Sequence, residues 1–222
     1  MIKQKKKLIL LGDSVFDNIA YLDRDEKSVT QHLQSKLDTS LWDITVEAVD
    51  GATTKTIKPQ YTKAGLDMLD NTNSTIIVSI GGNDALNYVN SLDNLSLENL
   101  HNIKSQFYCD YRTAIDEIAE TGQQLYICTI YNPKFPDPVM QKRAEAGLSI
   151  FNDIILTTAN DLWEDYLSGY GNVMMEVKNA KYPLIDLRNV CRDDKSFANA
   201  IEPSGYGGDK ITNEIIHKVL DN

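Results

Sequence analysis

A chain of 222 residues with 42% hydrophobic residues carries enough apolar side chain for one core of ordinary size, so a single domain over residues 1–222 is expected. The net charge of −10 argues against nucleic acid or an anionic membrane as the main partner, because both demand clustered Lys and Arg. No run reaches transmembrane length and none resembles a secretory signal, while Cys109, Cys128 and Cys191 lack metal-type spacing; reduced thiols and a cytoplasmic location are the expectation.

The basic start, Lys3 and Lys5 to Lys7, reads as a solvated lead-in to a first strand, Leu8 to Leu11, that ends at Gly12. Asp13 and Ser14 follow, and a helix is expected from near Val15. Val29, Leu33 and Leu37 recur at helical spacing, and Trp42 to Val49 has the alternation of a second strand ending in the turn Asp50-Gly51-Ala52-Thr53. Thr75 to Ile80 is the clearest buried strand, and it runs into Gly81-Gly82-Asn83-Asp84. Leu97, Leu100, Ile103, Phe107, Tyr111, Ile115 and Ile118 then mark a long helix ending near Gly122.

Gln124 to Ile130 reads as a fourth strand, and Asn132 to Pro138, with three prolines, as a loop. Leu148, Phe151, Ile155, Ala159 and Leu162 set another amphipathic helix, and Pro183 to Leu187 a short fifth strand. A C-terminal helix, with Ile211, Ile215 and Val219 on its apolar face, is expected after a glycine-rich turn at Gly205 to Gly208. Strands alternating with helices argue for a parallel sheet covered on both faces.

In a parallel sheet the carboxyl ends of all strands lie on one edge, where open α/β folds bind ligands. Ser14 follows the first strand, Gly51 the second, Asn83 the third, and Glu202 lies beyond the fifth. Acyl transfer needs a nucleophile and donors aimed at the oxygen that becomes negative. Ser14 can be the nucleophile; the Ser14 and Gly51 backbone N–H groups and the Asn83 amide can be the donors. Taken singly, each residue has an ordinary alternative: a helix cap for Asp13 or Ser14, a turn glycine for Gly51 and an Asx turn for Asn83.

Gly12-Asp13-Ser14 with Asp17-Asn18, the lone Gly51, and Gly81-Gly82-Asn83-Asp84 resemble the first three sequence blocks of the GDSL or SGNH hydrolases, a family of esterases, thioesterases, lipases and carbohydrate deacetylases. The resemblance implies a flavodoxin-like three-layer α/β/α fold with a five-stranded parallel sheet in order 2-1-3-4-5. It also implies Ser14 as nucleophile, and Ser14, Gly51 and Asn83 as oxyanion hole, with no cofactor and no metal.

The family's last block, Asp-x-x-His-Pro-Ser, is matched by Asn199-Ala200-Ile201-Glu202-Pro203-Ser204, so Glu202 stands at the position of the general base and Asn199 at that of its orienting acid. A carboxylate is about two pKa units less basic than imidazole, a handicap of up to about 3 kcal/mol in taking the serine proton. A neighbouring Asp13 or Asp84, or desolvation by a bound substrate, would recover part of it by raising the Glu202 pKa. His32, His101 and His217 have no match to the family's blocks.

Two functions are therefore expected to compete: a serine-dependent hydrolase of small-molecule esters, and a catalytically impaired relative that binds a small molecule or an acyl group. Asp13, Asp84, Tyr88 and Tyr131 are candidate substrate-binding residues, and the Asn132 to Met140 loop with Phe135 and the segment Leu86 to Asn99 are candidate pocket walls. A weaker idea gathers Asp13, Asp17, Asp84 and Glu202 around a divalent cation.

Overall fold

Alternation along the strands explains why the sheet is buried on both faces. Ile9, Leu11, Ile76, Val78, Leu125 and Ile127 point to one side, while Leu8, Leu10, Ile77, Tyr126 and Cys128 point to the other. A computed structural model of the protein describes residues 5–65, 74–89, 96–168 and 182–220. Within it the strands are β1 (Lys6–Gly12), β2 (Trp42–Val46), β3 (Ser74–Ser79), β4 (Gln124–Cys128) and β5 (Leu184–Ile185). They pair in parallel in the order β2-β1-β3-β4-β5, the expected topology of this three-layer α/β fold.

On one face α1 (Val29–Lys36) packs against α6 (Gly205–Leu220) over a core that includes Val29, Leu33, Ile211 and Ile215. The other face carries α2 (Ile57–Lys63), α3 (Gly82–Val89), α4 (Leu97–Ala119) and α5 (Pro138–Ser168), with Phe107, Tyr111, Ile115, Phe151 and Ile155 at its centre. Ser28 and Ser96 cap α1 and α4 by accepting from Gln31 N and Asn99 N, which supplies partners for otherwise orphaned N–H groups. No helix among the described residues is long and apolar enough to cross a membrane.

Three expectations are corrected. No helix starts at Val15: Phe16 N and Asp17 N both donate to the Asp13 carbonyl and close one isolated turn, after which the chain reaches α1 only at Val29. Gly205 to Gly208 is not a turn before the last helix but its first turn. A Cβ on Gly207 would lie 2.1 Å from the Ser196 carbonyl, so glycine is required there by the close approach of a neighbouring segment. Finally, α3 begins at Gly82, so Asn83 and Asp84 stand in a first helical turn rather than in a loop. Residues 90–95, inside the expected pocket-wall segment Leu86 to Asn99, and Lys3 lie outside the described residues.

Candidate active site

The turn that carries Ser14 is fixed by its neighbours on the sheet edge. Gly12 has φ +133, and a Cβ on it would sit 1.8 Å from the Ser79 carbonyl of β3, so any side chain would force β1 and β3 apart. The Gln60 carboxamide, projecting from α2, closes a two-way bridge to Gly12: Gly12 N donates to Gln60 Oε1 at 2.7 Å, and Gln60 Nε2 donates to the Gly12 carbonyl at 2.8 Å. Asp13 N donates to the Ser79 carbonyl, and Val15 N to Asp13 Oδ1. Ser14 therefore emerges at the carboxyl edge of the sheet from a backbone held on both sides.

The opposing group comes from the other end of the chain. Residues 197–204 form a tight loop closed by the Phe197 to Pro203 bridge, with Ala198 N donating to the Glu202 carbonyl. Asn199 Oδ1 accepts from both Ile201 N and Glu202 N at 2.9 Å. The Asn199 side chain thus sets the backbone of the turn and makes no hydrogen bond to the Glu202 carboxylate. Three outside contacts pin the loop: Asn18 Nδ2 to the Pro203 carbonyl, Tyr131 OH to the Ile201 carbonyl, and Lys134 N to the Ala200 carbonyl.

These two segments meet where Ser14 Oγ donates to Glu202 Oε1 at 3.1 Å. Both residues are buried, and Glu202 Oε2 has no hydrogen-bond partner among the described residues. Burial pushes the Glu202 carboxyl above its usual range, the Ser14 hydrogen bond pulls it part of the way back, and the charge of Asp50 pushes it up again. Asp50 is held nearby, with its N–H on Asp17 Oδ2 and its carboxylate on Tyr21 OH.

Asp13 is perturbed further. Burial raises its pKa from the ordinary 3.8 to about 7, against the lowering effect of the Val15 N–H, with Glu202 and Asp84 adding to the rise. Below that pH Asp13 is neutral and spares Glu202 a second buried charge.

The turn after β2 and the start of α3 are joined by two side chains. Asn83 Nδ2 donates one hydrogen to the Ala52 carbonyl at 3.0 Å, which draws the Gly51 turn toward α3. Asp84, expected to meet substrate, lies outside the cavity wall: its carboxylate accepts from Thr54 N and Thr54 Oγ1 and braces the same turn. Gly51 has φ +77 and follows Asp50 in a turn closed by Ala52 N donating to the Val49 carbonyl. Burial raises the Asp84 pKa, while the two bonds from Thr54 oppose the rise.

From Ser14 a cavity of about 110 Å³ opens between the sheet edge and α3, α4 and α5. Asp13, Ser14, Asn83 and Glu202 share its wall with Tyr88, Tyr131 and Phe135, so three of the four expected substrate-binding residues border the same space as Ser14. None of the histidines belongs to that wall. His32 is half-buried, with Nε2 at 3.0 Å from the Gly205 carbonyl and Nδ1 at 3.2 Å from Asp209, and so joins α1 to α6. His101 and His217 are exposed on α4 and α6. No group of three metal-ligating side chains gathers among the described residues.

Sequence reasoning missed three carboxamides that position the site. Besides Gln60, Asn152 of α5 bridges both the N–H and the carbonyl of Ile130 at 2.8 Å, and Asn18 joins the Pro203 carbonyl to Val29 N. Each is buried, and a polar residue interrupting an apolar helix face, as Asn152 does between Phe151 and Ile155, is the one signal that could have pointed to such a role.

A family model described as GDSL-like lipase/acylhydrolase matches residues 10–206. Solved structures share the fold across nearly the whole chain. A Parabacteroides merdae protein described as a GDSL-like lipase superposes with a TM-score of 0.67 at 11% identity, covering 98% of this chain and 97% of that one. An extracellular lipase of Streptomyces rimosus gives 0.64 at 13% identity, covering 96% and 100%. A variant of an acetyl xylan esterase from Geobacillus stearothermophilus gives 0.57 at 15% identity, covering 99% and 96%. No curated protein matches the chain in sequence.

Proposed function

The chain belongs to the GDSL-like lipase/acylhydrolase family, and from that premise we propose that it hydrolyses small-molecule esters with Ser14 as nucleophile and Glu202 as general base. The observation that carries this reading is the 3.1 Å hydrogen bond from Ser14 Oγ to Glu202 Oε1, the contact through which a base takes the proton of an attacking hydroxyl.

As Oγ attacks the ester carbonyl, its proton passes to Glu202. The carbonyl oxygen becomes an oxyanion, met by the N–H groups of Ser14 and Gly51 and by the Asn83 amide hydrogen that is not engaged with Ala52. The protonated Glu202 then returns the proton to the departing alkoxide, leaving an ester on Ser14. Water attacks that ester with Glu202 again as base, which frees the acid and restores the hydroxyl.

The raised Glu202 pKa supports this role, because a base whose pKa is closer to the working pH loses less driving force. The orphaned Oε2 acts in the same direction, since a carboxylate with few donors binds a proton more tightly. Asn199 acts here as a positioning residue for the Glu202 backbone. The competing reading, a binding protein with an idle serine, is favoured by one observation: the base position holds a carboxylate, intrinsically weaker than an imidazole.

Turnover of p-nitrophenyl acetate by the intact chain and by Ser14→Ala separates the two readings. We expect slow hydrolysis that disappears in Ser14→Ala, and stoichiometric labelling of Ser14 by diethyl p-nitrophenyl phosphate. An unchanged rate in Ser14→Ala refutes the nucleophile assignment. Absence of both turnover and labelling, with no gain in Glu202→His, leaves the binding reading.

A further inference from the structure

We infer, on the reading that Ser14 carries the acyl group, that the acyl part of the substrate is an aliphatic chain of medium length, and that Gly147 of α5 sets the limit on that length. The cavity leading from Ser14 is walled on its helical side by Leu86, Leu100, Ile103, Leu148 and Phe151. Its polar side chains are those of the reacting centre, Ser79 and Thr129 at the sheet edge, and Tyr88 and Tyr131; the Thr129 hydroxyl is already committed to Asp186 and the Tyr131 hydroxyl to the Ile201 carbonyl. A polar acyl group would lose its water in such a space and find few partners, whereas each methylene buried there is favourable.

An acetyl group would fill only the mouth. An apolar cavity of about 150 Å³ takes up the six carbons of a benzene ring, so the 110 Å³ here accommodates roughly four to five carbons beyond the carbonyl.

Gly147 is the residue whose identity packing alone does not explain. It lies inside a 31-residue helix, where glycine is the weakest helix former after proline. A Cβ at this position would meet nothing within 4 Å, so no neighbouring element requires its absence. Yet Gly147 borders the cavity, and so does Ala144 three residues earlier, on the same helix face as Leu148 and Phe151. Two small residues at this spacing leave the channel open, and a larger side chain at Gly147 would occupy it.

The test is a p-nitrophenyl ester series of acetate, butyrate, hexanoate and decanoate, in which the leaving group is constant and the ratio of kcat/KM values reports the acyl group alone. For the native chain we expect a rise of about fourfold per methylene, equivalent to ~0.8 kcal/mol for each CH₂ buried, through hexanoate and then a fall at decanoate. Gly147→Leu is expected to cut the hexanoate to acetate ratio at least tenfold. Gly147→Ala, which favours the helix and keeps the variant series informative if the leucine chain does not fold, is expected to cut it about fourfold.

A binding measurement that needs no turnover accompanies this: methyl hexanoate and methyl acetate titrated calorimetrically into Ser14→Ala, with and without Gly147→Leu. Ser14-dependent turnover with a flat chain-length profile, or a ratio that Gly147→Leu does not move, overturns the chain assignment and leaves the hydrolase reading intact. No turnover of any ester, combined with binding of methyl hexanoate that Gly147→Leu abolishes, overturns the hydrolase reading and upholds the channel. Equal binding of the two methyl esters to Ser14→Ala overturns the channel.

Discussion

Replacing Asp13 by Asn should make the protein less sensitive to alkali, and the effect can be worked from the carboxyl's surroundings. In the folded chain Asp13 holds its proton up to about pH 7, because burial, Glu202 and Asp84 all disfavour its charge. In the unfolded chain it releases that proton near pH 4. Between those two values the unfolded state binds fewer protons than the folded one, so each added pH unit shifts the balance toward unfolding by up to about 1.4 kcal/mol.

From pH 5 to pH 8 the wild-type chain should therefore lose roughly 3 kcal/mol at this one position, a loss that flattens once the folded carboxyl has ionised. Asn has nothing to ionise, and its side-chain oxygen can still accept the Val15 N–H that Asp13 Oδ1 accepts. The measurement is urea unfolding of both proteins at pH 5 and pH 8. The gap between them should move by about 3 kcal/mol in favour of the variant, or roughly 6–12 °C in Tm for a chain of this size. Groups that do not interact with Asp13 cancel in that double difference, so what remains is Asp13 together with its coupling to Glu202 and Asp84. A gap that stays within about 0.5 kcal/mol across the range would show that Asp13 is already ionised in the folded state, and the argument for a neutral group beside Glu202 would fall.

Three further outcomes are expected. The kcat/KM of the native chain on p-nitrophenyl acetate should rise with pH along an acidic limb, because the base must be ionised, and its midpoint should lie above the 4.5 of an ordinary glutamate, since burial raises the Glu202 pKa. Glu202→Gln, nearly isosteric but unable to take a proton, should lower kcat/KM by about 10²-fold or more and remove that limb; retention of the limb would assign it to another group. Gln60→Leu should strip Gly12 N of its partner at the nucleophile turn, costing about 1–3 kcal/mol in urea unfolding, and a stability within about 0.5 kcal/mol of wild type would show that the bridge is dispensable.

The strands and the long helices were legible because their patterns are set by burial alone: Thr75 to Ile80 is apolar on both faces, and Leu97 to Ile118 keeps a helical period through six turns. The expected helix at Val15 failed for a physical reason that no local pattern reveals. The Asp13 carbonyl accepts one turn's worth of N–H groups, and Asn18, which would have continued the helix, spends its carboxamide on Pro203 and Val29 instead. The short helices α2 and α3 were hidden by residues that read as breakers, Pro59 in the first turn of one and Gly82 at the start of the other, both positions a helix tolerates.

At the site, Ser14 and Asn83 stood out because each follows an apolar strand, and Glu202 because its segment resembles the family's last block; the three share one cavity wall. Gln60 was not, because its meaning depends on Gly12, 48 residues away, and on a close approach that only the folded sheet creates. Asp84 was misread as a contact for substrate because its position beside Asn83 does not reveal that Thr54 is within its reach.

Ser14 and Glu202 are separated by 188 residues along the chain. Emerging from a ribosome, Ser14 would precede Glu202 by 188 residues of synthesis and, on the proposed mechanism, would stay inert over all of them. Its partner arrives only with the loop before the final helix, and that loop finds its place only when the Asn18 and Tyr131 tethers engage. Cleavage of an ester would in this way be a readout of completed folding, and a half-made chain would be harmless to the esters around it.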